Sequence, residues 1–157
     1  MKSDQEVEKI IREYLPDVVH LSLATSANNK PWVCEVHFVY DDELNLYFRS
    51  KKARRHSREI AANPRVAGNV VEQHRAEQKP RGVYFEGAAE ILEDFDENHK
   101  AYEAFSRRLG VGPEIIEDAK SEDGHKVYKI TISDLYLFDS RESSPSQKYH
   151  LKWSNDD

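Results

Sequence analysis

VVHLSLATSANNKPWVCEVHFVYDDELNLYFRS, residues 18–50, decides the fold. Apolar and polar residues alternate through 18–26, with Val19, Leu21 and Leu23 on one side. Asn28, Asn29, Lys30 and Pro31 interrupt the pattern as a turn. Alternation resumes at 32–40, with Trp32, Cys34, Val36, Phe38 and Tyr40 on one face. Val33, Glu35, His37 and Val39 take the other face. Asp41 to Glu43 form a second turn, and residues 44–50 read as a third strand. A period of two with short connections specifies an antiparallel meander.

On the N-terminal side the period lengthens. Val7, Ile10, Ile11, Tyr14 and Leu15 share one face of a helix over 3–15, Ser3 and Glu6 have capping-box spacing, and Pro16-Asp17 ends it. On the C-terminal side, residues 52–62 are helical in composition and stop at Asn63-Pro64. Strands are expected at 65–72, 82–93 and 127–138, with Gly68, Gly82 and Gly87 marking bulges or bends. Residues 73–80 read as a loop, 97–109 as a helix with Ala101, Tyr102, Phe105 and Leu109 inward, and 114–119 as a short helical turn. About six strands with inserted helices make a mainly β chain, expected to close as a small antiparallel barrel. One domain over 1–140 is expected, followed by a polar C-terminal tail at 141–157 whose apolar residues are Tyr149, Leu151 and Trp153.

Of 157 residues, 38% are hydrophobic, so the core is thin, while 16 aromatic side chains argue against disorder. No stretch approaches the length of a membrane span, the first residues lack a signal-peptide core, and the cytoplasm is the expected compartment. The lone Cys34 excludes an intrachain disulfide, and it reads as a core residue. The histidines lack paired ligand spacing, so no metal is expected. There is no nucleophilic triad, Walker loop or GxGxxG, and no catalytic residue stands out.

Charge carries the strongest functional signal. The net charge is −6, yet RSKKARRHSR at 49–58 holds six basic residues and no acid, leaving 17 basic against 29 acidic residues elsewhere. The acidic remainder opposes duplex nucleic acid, and a small local anion suits the pattern better. Ser50 ends a strand and is placed to cap the next helix, whose first turns carry Lys51, Lys52, Arg54 and Arg55. Cations there repel one another and oppose the helix dipole. A phosphate would relieve both and accept the free N–H groups. The alternative is a solvated basic face.

Three segments together resemble the pyridoxamine 5′-phosphate oxidase-like, FMN-binding split-barrel superfamily: SLATSANNKPWVCEVHFVYDDELNLYF, RSKKARRHSREIAANPRVAGNV and RGVYFEGAAEIL. The pair Arg55-His56, the following NPRV and the RGVYFEG strand are most similar to a bacterial branch, the YhbP-type proteins. The resemblance implies a six-stranded split β-barrel that binds FMN at a homodimer interface. By resemblance, Val33, Cys34, Glu35 and Val36 line the flavin ring, while Ser50, Arg55 and His56, with Lys51 and Lys52 beside them, hold the phosphate. His56 stands where the oxidases usually have Lys, and Gly82 stands near their Gln. QKYHLKW replaces their Arg-x-His motif, so vitamin B6 oxidation does not carry over.

The expected function is that of an FMN-binding oxidoreductase, a homodimer acting on a small substrate, with neither nucleic acid nor membrane as partner. Two alternatives stand beside it. One is a non-catalytic protein that binds flavin, haem or a phosphorylated ligand. The other, which the acidic remainder disfavours, is a single-stranded nucleic-acid binder using the basic segment with Tyr47, Phe48 and Trp32 as stacking partners.

Overall fold

Asn28 and Asn29 both adopt left-handed backbone (φ 53° and 61°), the conformation of a two-residue hairpin turn. Asparagine tolerates that region better than other side-chain-bearing residues, so this pair sets the register of the first hairpin. Strand β1 (His20–Ala27) pairs antiparallel with β2 (Lys30–His37), placing Leu23 opposite Cys34 and Leu21 opposite Val36. The computed structural model describes residues 1–141 and 147–153.

The remaining elements follow in chain order. Helix α1 (Asp4–Tyr14) precedes the hairpin, with the Ser3/Glu6 capping box formed. After the hairpin come β3 (Val39–Tyr40), β4 (Leu46–Lys51), α2 (Arg55–Ala62), β5 (Arg65–Val70) and β6 (Arg81–Ile91). Helices α3 (Lys100–Leu109) and α4 (Glu114–Lys120), then β7 (His125–Asp139) and β8 (Lys148–Lys152), complete the described chain. The strands form one antiparallel sheet in the order β2-β1-β5-β6-β7-β4-β3, with β8 also on β7. The chain is mainly β, and its curled sheet is the split barrel implied by the sequence resemblance.

β7 is the spine. Along one edge it pairs with β6, and along the other its first half pairs with β4 and its second half with β8. The described residues hold eight strands where six were expected. Residues 32–40 divide because the chain changes partner after Phe38: its amide still bonds Val19 O at 3.0 Å in the β1–β2 register, whereas Val39 and Tyr40 pair with Tyr47 and Leu46 of β4. Of the stretch read as a polar tail, residues 148–152 are a sheet strand with Leu151 buried. Its polar alternation concealed it, since only one of its faces meets the core. Residues 142–146 and 154–157 of that stretch lie outside the described residues.

Two apolar clusters hold the fold. In the first, Val7, Ile11 and Tyr14 of α1 pack on the concave sheet face with Leu21, Leu23, Phe48, Phe85 and Leu135. Phe48 and Tyr128 stack there at 5.0 Å. The second joins Ala101, Phe105, Ile115 and Ile116 of α3 and α4 to Val39, Tyr47 and Val127. It fixes the helical insertion against the outer side of β3, β4 and β7. Gly68 marks a close approach rather than a bulge, since a Cβ there would lie 2.4 Å from Ser22 O. The bulge falls at Glu86/Gly87, where β6 and β7 change register.

Candidate functional site

The basic segment folds differently from its sequence reading. Lys51 still belongs to β4, Lys52 lies in the turn, and α2 begins only at Arg55, with Arg54 as its N-cap. Ser50 therefore does not cap the helix. Its buried hydroxyl meets Ser57 Oγ at 3.0 Å and ties the strand end to the helix start. Arg54 makes no side-chain capping bond. The dipole-positive end of α2 thus carries a cation and receives no carboxylate from its cap.

This helix start opens onto a cleft of about 570 Å³ at the split of the barrel. One wall is the β2 segment Glu35, Val36 and His37. β2 pairs with β1 alone, so its other edge has no strand partner among the described residues. The facing wall is Arg49, Ser50 and Lys51 of β4 with Arg54 and His56. Phe105, Leu109 and Val111, from α3 and the link to α4, form an apolar side, and His125 closes the end.

Of the nine residues expected at the cofactor, the cleft gathers Glu35, Val36, Ser50, Lys51 and His56. The other four lie elsewhere. Val33 is 59% exposed, and Cys34 is half-buried against the first core cluster, its thiol pKa raised by burial and by Glu35 and Glu59. Lys52 borders a separate groove beside Ser57 and Tyr128. Arg55 turns back along its own helix, with Nε 3.0 Å from Glu59 and its guanidinium 4.2 Å above the Trp32 ring.

Arg49, His37 and His125 join the cleft without having been expected there, together with Arg54, one of the cations read at the helix start. Arg54 was read as a first-turn cation of a helix from 52, and the structure makes it the N-cap instead. No sequence signal pointed to His125, whose place follows from pairing opposite Lys51.

His56 Nε2 and Arg49 Nε are buried without a hydrogen-bond partner among the described residues. Such atoms forgo hydration and are costly unless something supplies an acceptor. Burial, then the neighbouring Arg54 charge, lowers the His56 pKa below its ordinary value. The imidazole is therefore neutral near pH 7 when nothing anionic faces it. Asp118 of α4 accepts from Arg49 Nη2 at 2.8 Å and from His125 Nδ1 at 2.9 Å. Burial pushes the Asp118 pKa up, but the His125 hydrogen bonds and the Arg49 charge outweigh it and hold the carboxyl below its usual range.

A second cleft, also about 570 Å³, extends over His20 and Ser22 of β1 and Asn69 of β5 and shares Glu35, Val36 and His37. There Glu35 accepts from His20 Nδ1 at 2.9 Å and from the Ser22 hydroxyl. Among the described residues, no three His, Cys, Asp or Glu side chains gather as a metal site. No helix there is long and apolar enough to cross a membrane.

The chain has relatives in both sequence and structure. A UPF0306 protein of Photorhabdus laumondii is 29% identical over 104 residues, covering 66% of this chain and 72% of the relative. Campylobacter jejuni ChuZ superposes with TM-score 0.74 at 18% identity, over 97% of this chain and 61% of that one. HutZ, the haem storage protein of Vibrio cholerae, gives TM-score 0.58 at 21% identity, over 83% and 89% of the two chains. The family model described as pyridoxamine 5′-phosphate oxidase matches residues 7–139. By that match, and by the split-barrel sheet that carries it, the chain belongs to the pyridoxamine 5′-phosphate oxidase family.

Proposed function

We propose that the cleft binds FMN and that the protein is an FMN-dependent oxidoreductase acting on a small substrate. The observation that carries this reading is the unpartnered, buried His56 Nε2 on a wall shared with Ser50, Lys51 and Arg54. A phosphate monoester fits that wall. It would accept from the hydroxyl, the two cations, the imidazole and the first N–H groups of α2. The apolar side formed by Phe105, Leu109 and Val111, facing the free edge of β2, suits a planar ring system with polar edges. FMN, when bound, supplies hydride or single-electron transfer, and the protein's part is to bind, orient and exclude water.

Calorimetry with FMN and riboflavin tests the assignment. FMN is expected to bind about tenfold or more tightly than riboflavin, because charge-assisted bonds to phosphate contribute roughly 1.5–3 kcal/mol each. Equal affinity for the two would overturn it. Haem is the second reading. It is favoured by the likeness to HutZ and by His37, His56 and His125, each able to ligate iron, on one cleft. Absorbance separates the two: flavin bands after reconstitution support FMN, and a Soret band on haem titration supports haem.

We also propose a homodimer. One row of side chains crosses the convex sheet face: Glu35, Ser22, Asn69, Tyr84, Tyr136 and His150 on six successive strands. Tyr136 and His150 stack at 4.6 Å within this row. A second copy would cover this aromatic, polar face and relieve the thin core of a small chain. Light scattering is expected to give about twice the 18.3 kDa chain mass at micromolar concentration, and a monomer mass would contradict it.

A further inference from the structure

Asp118 holds His125 by two bonds at once. Its Oδ2 accepts from the His125 ring at Nδ1 (2.9 Å) and from the His125 backbone N–H (3.2 Å). Arg49 Nη2 adds a third donor to the same oxygen at 2.8 Å. The preceding residue accommodates this closeness, since a Cβ on Gly124 would lie 1.8 Å from Asp118 O. A carboxylate at Nδ1 selects the tautomer that carries its proton there. In that tautomer Nε2 carries no proton and is a hydrogen-bond acceptor.

The ring's neighbours on the cleft are donors and cations. Lys51 stands directly opposite His125 across the β4–β7 ladder. Arg49 and Arg54 carry positive charge, Ser50 a hydroxyl, and His56 and His37 further imidazoles. Across the cleft, Glu35 of β2 supplies an acid. A phosphate held by Lys51, Arg54 and His56 would not need another acceptor beside it. A hydroxyl attached a few atoms from that phosphate would.

We propose that His125, preoriented by Asp118, accepts a hydrogen bond from a hydroxyl of the ligand's polyol or sugar chain, so that the cleft selects polyol phosphates over phosphate alone. This rests on the FMN reading, in which the ribityl chain supplies the hydroxyls. His125 is the ligand-contacting residue, and Asp118 is a positioning residue.

The test titrates FMN by fluorescence quenching into the parent protein, His125→Ala, His125→Gln and Asp118→Asn, and measures inorganic phosphate as a competitor. Loss of one neutral hydrogen bond predicts a roughly three- to tenfold weaker Kd for FMN in His125→Ala, with the phosphate inhibition constant unchanged. Gln places an amide near the Nε2 position and is expected to restore most of the affinity. Asp118→Asn is expected to weaken FMN, and long-range 15N NMR should show His125 leaving the Nδ1–H tautomer. Parent-like FMN binding by His125→Ala overturns the proposal while the FMN reading stands. Equal loss of FMN and phosphate affinity also overturns it, because His125 then acts on the phosphate or on the fold. Failure of the parent to bind FMN overturns both.

Discussion

Asp41→Ala is expected to lower unfolding stability by about 2–4 kcal/mol, the scale of leaving buried hydrogen-bond donors without their acceptor. Asp41 is 6% exposed and organises the turn between β3 and β4. One carboxylate oxygen accepts the backbone N–H groups of Glu43 and Asn45, both at 3.0 Å. The other accepts from Asn45 Nδ2 at 3.0 Å and from Tyr47 OH at 2.7 Å. Leu44, fully buried within this turn, sits at φ 61°, a conformation that its side chain disfavours. Alanine would leave buried donors unmatched and remove the anchor that keeps Leu44 there. Lys100, 3.4 Å from the carboxylate, is half-exposed, so Lys100→Ala should cost only about 1 kcal/mol or less. Urea denaturation of both variants checks the difference, and similar small losses would show that the carboxylate does not organise the turn.

The same carboxylate gives an acid dependence. Burial raises the Asp41 pKa, but hydrogen bonds from Tyr47 and Asn45 and the Lys100 charge overcome it, and the net shift is downward. A depressed folded-state pKa means stability that is fully present above the unfolded value of about 3.9. That stability is lost as pH falls through the lower folded value. Asp41→Asn should flatten this part of the acid-unfolding profile.

Arg54→Ala is expected to weaken FMN binding about ten- to a hundredfold, with Lys51→Ala a smaller loss and Arg55→Ala nearly neutral. The family resemblance alone favours Arg55. The fold places Arg54 on the cleft and commits Arg55 to Glu59 and Trp32. A guanidinium presents two parallel donors to phosphate oxygens, which a lysine cannot do. Flavin-fluorescence titration of the three variants decides the order, and a loss confined to Arg55→Ala would assign the phosphate to Arg55 instead of Arg54. His56→Ala should reduce affinity increasingly as pH falls. Its depressed pKa places the added charge below the usual imidazole range until an anion binds.

Much of the architecture was legible because it is local. Alternation through 18–50, the Asn28-Asn29 turn and the Ser3/Glu6 cap act between residues near in sequence, and the structure forms each of them. The basic run at 49–58 was visible for the same reason. A charge count, however, does not set helix phase, so Ser50 was read as the cap of a helix that begins five residues later. A start at Arg55 rather than 52 redirects every side chain of that segment.

The sequence by itself thus determined the antiparallel sheet, its family and the presence of a strongly basic segment. Only the tertiary structure decided which residues share the cleft. His37, His56 and His125 are far apart along the chain, and they meet because β2 ends at the split, α2 turns inward, and β7 returns His125 opposite Lys51. The strand of residues 148–152 is likewise stabilised by the edge that β4 leaves open along the second half of β7 rather than by its own composition. Long-range strand pairing, not propensity, sets these positions, because the hydrogen-bond partner of each edge belongs to another part of the chain.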